Sequence, residues 1–176
     1  MKKPFLGVAL GGGGVRGAAH VGALQILDRE NIDIGILSGV SSGSIVAAMY
    51  AFSKDSHWVE RRFKELLLSN DAKQLSKYLS TNVCSHSFFS KLKKKLFDYL
   101  LVVLSIQRSS LVSKKYLKYS IDALMGNVMF RDLKIPLKVI ATNLESGEDI
   151  IFEDGLISDA LLRSSSIPGI FEPEIF

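Results

Sequence analysis

Short apolar runs and longer amphipathic segments alternate along the first part of this chain. Phe5 to Leu10 and Ile32 to Ser38 are apolar runs of the length of a β-strand. Each run precedes a segment with apolar residues at helical spacing, from about Val15 to Glu30 and from Ser44 to Phe52. Two strand-to-helix units in this order predict an α/β fold, with a mainly parallel central sheet covered by helices on both faces.

The block 55–129 differs from the rest of the chain because it is helical by composition and contains no Pro. Trp58 to Leu68, for example, has the amphipathic pattern of a helix packed on one side. No Pro/Gly-rich linker separates this block from its surroundings. We therefore expect a helical insertion or cap inside one domain that spans residues 1–176.

The last part of the chain returns to strand patterns. After Pro136, Leu137 to Thr142 is predicted as a buried strand, and Asp149 to Phe152 as its partner across a turn. A short helix should follow, with Ser158 as its N-terminal cap.

Composition excludes several classes of protein. The chain has 176 residues and is 47% hydrophobic, enough for one sizeable core. Its lone cysteine, Cys84, rules out an internal disulfide framework, and no cluster of metal ligands is present, so we expect neither a metal nor a cofactor. The apolar run Pro4 to Leu10 is too short for a convincing signal peptide. We expect a location in the cytoplasm or at the membrane periphery, or export without a cleavable signal; the oligomeric state stays open.

The net charge of +4 is concentrated locally. A basic cluster comprises four lysines: Lys91, Lys93, Lys94 and Lys95. Neighbouring aromatic residues form no nucleic-acid-binding motif, so nucleic acid is not expected as a partner. The cluster fits either a solvated helix face or a contact with an anionic membrane surface, and the sequence leaves both open.

Two glycine-rich turns carry the candidate chemistry. Gly11 to Gly14 ends the first predicted strand, and Gly39-Val40-Ser41-Ser42-Gly43 ends the second. A serine hydroxyl becomes a useful nucleophile when it is exposed, has a base, and faces fixed donors for the oxyanion that forms. Gly39 and Gly43 permit a sharp bend that presents Ser41, while the first turn can supply backbone N–H groups. This combination predicts an acyl-transfer site.

The glycine run also has rival interpretations. Residues 12–17 satisfy the G-x-G-x-x-G pattern of nucleotide-binding folds. However, Glu30 and Asp33 precede or open the second strand, whereas a dinucleotide site requires an acidic residue at its end. A flexible loop rich in small residues is the structural alternative for the segment around Ser41.

The motifs together resemble the patatin-like phospholipases. The resemblance rests on residues 12–17, on residues 39–44, and on the segment from Asp159 to Phe171 with its Ser-rich stretch before Pro168-Gly169. It implies a three-layer α/β/α sandwich and hydrolysis of phospholipids or other lipid esters by a serine–aspartate dyad. Under this resemblance Ser41 is the nucleophile.

The resemblance also assigns the remaining site residues. Gly12, Gly13 and Gly14 would form the oxyanion hole, with Arg16 helping to shape it. The dyad aspartate of the family lies in an Asp-Gly-Gly or Asp-Gly-Ala motif beyond the Ser-x-x-x-Pro-Gly segment. Because this chain ends at Phe176, we expect that motif beyond it and a domain truncated at its C-terminus.

No other residue is a convincing base. Asp154-Gly155 is expected to be an ordinary turn before the last helix. His20, His57 and His86 are expected to be structural or surface histidines. The alternative functions are thus a catalytically incompetent module that binds lipid or membrane, and a nucleotide-binding protein that uses the glycine run.

Overall fold

The structure is a computed structural model that describes residues 5–68 and 114–167. Its regular elements, in chain order, are β1 (Leu6–Leu10), α1 (Ala18–Arg29), β2 (Ile34–Val40), α2 (Ser42–Ser53), α3 (Ser56–Leu68), α4 (Lys114–Met125), β3 (Leu137–Thr142), β4 (Asp149–Phe152) and α5 (Ile157–Ser165). Short 3₁₀ turns at Gly14–Gly17 and Phe130–Asp132 complete this part of the chain. The basic cluster, Cys84 and His86 lie outside the described residues.

The strands form one sheet in the order β1-β2-β3-β4. β1 and β2 run parallel, as do β2 and β3, and Leu10 lies opposite Gly39 at the carboxyl end of the first pair. β4 pairs antiparallel with β3. The predicted α/β fold with a mainly parallel sheet is therefore confirmed, and the carboxyl ends of the three parallel strands share one edge of the sheet.

The hydrophobic core lies between the sheet and one layer of helices. α2 is its centre, because it packs against β1, β2 and β3 and every residue from Ser42 to Ala51 is buried. α5 packs on β3 and α2, while α3 packs on α1 and α2. α4 contacts α5, α2 and α3. Of the expected three layers, the described residues supply the sheet and this helical layer.

The opposite face of the sheet is partly exposed in the described residues. Gly39 approaches α2, so its strand neighbours Ser38 and Val40 point to the other face. Val40 is 39% exposed, and Ile151 on β4 is 54% exposed. Lys138 and Glu153 form an ion pair of 2.9 Å across β3 and the end of β4.

The observed elements correct two expectations from the sequence. β2 continues to Val40, because the polar Ser38 and Gly39 interrupt its apolar pattern without ending the strand. Ser158 is buried inside α5, whose N-cap is Leu156, so the prediction that Ser158 caps this helix was wrong. Among the described residues, none of the helices combines the length and apolarity that crossing a bilayer demands.

Candidate active site

The bend at Ser41 is a strained point of the described backbone. Ser41 lies between the last residue of β2 and the first residue of α2, with φ of 51° and ψ of −125°. Lys54, which also has positive φ, ends α2 in the ordinary left-handed region with ψ of 35°. Ser41 lies outside that region, in a conformation that L-residues rarely adopt. Such strain persists only where the surrounding structure imposes it, and it concentrates at functional sites.

Two glycines make the bend possible through close backbone contacts. A Cβ atom added to Gly39 would lie 2.6 Å from the backbone nitrogen of Ser44. A Cβ atom added to Gly43 would lie 2.2 Å from the carbonyl oxygen of Leu10. Neither backbone neighbour can move without displacing β1 or α2, so no side chain fits at either position.

The glycine loop after β1 runs directly beside Ser41. A Cβ atom added to Gly12 would lie 3.3 Å from the Cβ atom of Ser41. The structure therefore brings together the two predicted glycine turns, which are far apart in the sequence. Gly13 and Gly14 lead from this point of contact into the 3₁₀ turn, and Gly14 has φ of 56°.

Arg16 contacts the loop through its backbone and the base of its side chain. Its N–H donates to the carbonyl of Gly13 at 3.2 Å. The Cβ atom of Arg16 would lie 3.5 Å from a Cβ atom added to Gly13. Arg16 is exposed, and both of these contacts are with the loop. They constrain the shape of the loop at Gly13.

His20 contacts the same loop from the first turn of α1. Its Nε2 atom lies 2.8 Å from the carbonyl oxygen of Gly11. The peptide that joins Gly11 to Gly12 is trans, so its N–H points away from that carbonyl. His20 thus has the structural role expected of it. His57 is exposed and lies 4.0 Å from Glu60, and no described imidazole bonds to the Ser41 hydroxyl.

The amino end of α2 begins immediately after Ser41. The carbonyl of Ser41 accepts the N–H of Ser44 at 2.9 Å and the Ser44 hydroxyl at 2.6 Å. The helix is buried, so the partial positive charge at its N-terminus is weakly screened there. This charge favours negative charge near Ser41.

Ser164 holds the other side of the bend. The backbone N–H of Ser41 donates to the Ser164 hydroxyl at 2.8 Å, and that hydroxyl donates to the carbonyl of Ile140 at 2.6 Å. We did not predict this residue as part of the site. Its only signal in the sequence is its place in the Ser-rich stretch before Pro168.

Asp154 lies at the opposite edge of the sheet from Ser41. β4 runs antiparallel to β3, and Phe152 at its end pairs with Val139 near the start of β3. Asp154 therefore follows at the edge where the parallel strands begin, which we call the amino edge. There it lines a cavity of about 670 Å³ together with Leu137. The expectation that Asp154-Gly155 forms an ordinary turn agrees with this position. No described carboxylate forms a hydrogen bond with the Ser41 side chain.

The part of the chain that the structure describes contains no candidate metal centre. No group of three or more His, Cys, Asp or Glu residues within 5–68 and 114–167 could hold a metal ion. The described residues at the site offer the hydroxyl of the half-buried Ser41, backbone N–H groups and a helix N-terminus.

Comparisons with known proteins identify the family of this chain. A family model described as patatin-like phospholipase matches residues 8–176. A patatin-like phospholipase domain-containing protein of Caenorhabditis elegans is 30% identical over 96% of this chain. An uncharacterised NTE family protein of Mycobacterium bovis is 25% identical over 97% of the chain. The chain spans only 11% and 39% of the lengths of these two relatives, respectively.

Two solved structures share the fold. VipD from Legionella pneumophila superposes over 96% of this chain and 43% of its own, with a TM-score of 0.55 and 18% identity. The type III effector protein ExoU of Pseudomonas aeruginosa superposes over 95% of this chain and 41% of its own, with a TM-score of 0.51 and 20% identity. At these identities the likeness concerns the fold alone.

Proposed function

Since the chain belongs to the patatin-like phospholipase family, we propose that it is a serine acyl hydrolase of lipid esters, of the phospholipase A or lysophospholipase type, with Ser41 as nucleophile. The observation that carries the proposal is the contact between the strained Ser41 and the glycine loop, where a Cβ atom on Gly12 would lie 3.3 Å from that of Ser41. Strain of this kind, beside backbone donors, is characteristic of a preorganised nucleophile.

The proposed reaction proceeds in two acyl transfers. The Ser41 oxygen attacks the ester carbonyl carbon while a carboxylate base takes the hydroxyl proton. The tetrahedral adduct then collapses, the carbon–oxygen bond to the lipid alcohol breaks, and the alcohol leaves with that proton. In the second transfer the same base takes a proton from water, which attacks the acyl-serine. The bond between the acyl carbon and the Ser41 oxygen breaks, a fatty acid leaves, and the serine oxygen regains its proton.

The oxyanion is proposed to bind to backbone N–H groups of Gly12, Gly13 and Gly14. His20 and Arg16 support this assignment, because both fix carbonyls of the loop and thereby the orientation of the neighbouring N–H groups. Loss of one such donor costs about 3 kcal/mol of transition-state stabilisation in comparable sites. Gly39 and Gly43 serve the reaction by shaping the bend.

The base is proposed to be the aspartate of the family's Asp-Gly-Gly or Asp-Gly-Ala motif, which residues 1–176 do not contain. Every described carboxylate lacks a hydrogen bond to Ser41, and Asp154 lies at the other edge of the sheet. Without a positioned base, a serine nucleophile loses about four orders of magnitude in rate.

A lipid substrate fits the surroundings of the site. Segments at the same edge of the sheet carry exposed apolar side chains: Val15, Val40, Leu144 and Ile167. An acyl chain could cover this apolar surface when the ester reaches Ser41. We further propose action at the periphery of a lipid surface, with the basic cluster as an additional contact.

Mass spectrometry after incubation with a short-chain p-nitrophenyl ester tests the proposal. We expect an acyl adduct on the peptide that contains Ser41, with steady turnover barely above buffer. Ser41→Ala should abolish the adduct, while Ser53→Ala, at the opposite end of the same helix, should preserve it.

Three other outcomes are informative. Turnover that survives Ser41→Ala overturns the proposed nucleophile. Rapid turnover that Ser41→Ala abolishes assigns the base to a residue of this chain. Binding of phospholipid vesicles without any adduct favours the non-catalytic lipid-binding module. This module stays the second candidate because none of the carboxylates in 5–68 and 114–167 bonds to the Ser41 hydroxyl.

A further inference from the structure

A hydroxyl from a distant helix ties the Ser41 bend to the neighbouring strand. Ser164 lies in the last turn of α5, 123 residues from Ser41 along the chain. Its oxygen accepts the Ser41 N–H at 2.8 Å and donates to the Ile140 carbonyl at 2.6 Å. Both distances are those of good hydrogen bonds.

The hydroxyl lies where the ladder between two strands ends. Val40 pairs with Ile140 in the last recorded register position of β2 and β3. The next residue, Ser41, turns out of the strand with φ of 51° and leaves its N–H without a place in that ladder. Ser164 satisfies this N–H and the opposing carbonyl simultaneously, since a hydroxyl can accept one bond while donating another.

We propose that Ser164 is a positioning residue that holds Ser41 in its strained conformation. The backbone of Ser41 is fixed by bonds on both sides. On one side its carbonyl accepts bonds from α2, and on the other its N–H is bound by Ser164. If the Ser164 hydroxyl is lost, the bend can relax toward an unstrained conformation and carry the side-chain oxygen away from the glycine loop. The catalytic consequence rests on the proposed function, whereas the structural one does not.

The two serines that follow provide a contrast. Ser166 donates its hydroxyl to the carbonyl of Leu162 at 2.7 Å, a bond local to the end of α5. The Ser165 hydroxyl is buried and has no partner among the described residues. Of these three serines, only Ser164 forms a hydrogen bond with the Ser41 bend. Ser166→Ala is therefore the matched control, because it removes a similar hydroxyl from the same helix end.

The test compares Ser164→Thr with Ser164→Val, which have the same shape and differ only in the hydroxyl. Hydrogen exchange of the Ser41 amide, followed by NMR, reports directly on the bond that Ser164 accepts. We expect exchange about tenfold faster in Ser164→Val than in the wild type. Ser164→Thr and Ser166→Ala should keep the wild-type rate, and melting temperatures should show that all variants are folded.

Covalent labelling by a fluorophosphonate gives the functional readout. We expect labelling of Ser41 to slow about 10- to 100-fold in Ser164→Val, because a displacement of about 1 Å is sufficient for such a loss. Ser164→Thr should restore the rate. A merely structural loss of stability would lower the melting temperature without separating Thr from Val in this way.

The proposal is overturned if Ser164→Val exchanges and labels like the wild type while folded. If the Ser164→Thr and Ser164→Val variants both fail to fold, comparing Ser164→Ala with Ser166→Ala tests the same hydroxyl with smaller side chains. If the wild type does not label at all, the proposed function fails. The exchange rates still decide whether Ser164 holds the bend.

Discussion

The two edges of the sheet use backbone strain differently. At the carboxyl edge, positive φ falls on Ser41, and added Cβ atoms at Gly39 and Gly43 would strike backbone atoms. At the amino edge, positive φ in the turn after β4 falls on Gly155, whose added Cβ atom would meet nothing within 4 Å. The bend at Ser41 thus places a strained non-glycine residue in tight contact, whereas the turn after β4 places its positive φ on a glycine with open space around it.

Polar groups at the two edges differ as well. Near the amino edge, where α2 ends, Tyr50 donates its hydroxyl to Asp28 and the N–H of Ser56 donates to the same carboxylate at 3.0 Å. These bonds join three helices and leave the carboxylate well satisfied. At the carboxyl edge the Ser41 hydroxyl has no partner among the described residues. The polar groups around Asp28 are thus paired with one another, whereas reactivity is expected at Ser41.

Adding one methyl group at each edge should give the largest difference between the edges in the free energy of unfolding. Gly43→Ala places a Cβ atom 2.2 Å from the Leu10 carbonyl oxygen, so we expect a loss of about 4 kcal/mol in the free energy of unfolding. Gly155→Ala meets only the cost of positive φ, about 1 kcal/mol. Thermal unfolding measures both, with about 2 to 4 °C lost per kcal/mol in a chain of this size. Equal losses would contradict the close contact at the carboxyl edge.

The Asp28 carboxylate should make the amino edge sensitive to pH. Partial burial raises the pKa of Asp28, but hydrogen bonds from Ser56 and Tyr50 outweigh it and hold the pKa below its usual value. As the pH falls, the unfolded state therefore binds a proton at Asp28 before the folded state does. The contribution of Asp28 to the free energy of unfolding is present above about pH 4 and is lost as the pH falls through the lower folded pKa.

Asp28→Asn tests this effect through chemical denaturation across pH. We expect a loss of about 1 kcal/mol at neutral pH, after allowance for solvent screening, that diminishes below about pH 4. Asp33→Asn, whose carboxylate is 71% exposed in a 3.8 Å pair with Lys54, is the control and should change stability little. A loss for Asp28→Asn that is constant with pH would contradict the assigned cause.

Ser41→Gly should separate stability from reactivity at the carboxyl edge. Glycine adopts the required conformation without the strain of a Cβ atom, so we expect a gain of about 1 kcal/mol in the free energy of unfolding together with complete loss of the nucleophile. Lys54→Gly is the matched control, because it also relieves a positive φ but lies at the other end of α2. It should gain similar stability with the reactivity intact. A destabilised Ser41→Gly would contradict the strain at Ser41.

The sequence predicted those features that depend on local patterns. β3 and β4 have the predicted bounds, since Pro136 and the turn at 145–148 delimit them clearly. The contact between Gly12 and Ser41 followed from two glycine turns at the ends of neighbouring parallel strands. The end of β2 was misplaced, because hydropathy alone cannot distinguish a polar residue on an exposed sheet face from the start of a loop.

Long-range polar contacts could not be predicted. Ser164 reaches Ser41 only because β3 and α5 bring it there, and no local pattern encodes a bond across 123 residues. The same holds for His20 and the Gly11 carbonyl, where the imidazole gave no indication of its partner. Ser158 was predicted as a cap from its residue type, yet burial against the core decides its position inside α5.

The most direct measurement of the central claim is the site of covalent labelling by a fluorophosphonate in the folded protein. We expect prolonged exposure to modify the peptide that contains Ser41, and Ser41→Ala to remain unmodified while Ser53→Ala is modified as in the wild type. A folded wild-type protein that carries no label on Ser41, or that carries it on another residue, would contradict the assignment of Ser41 as the nucleophile.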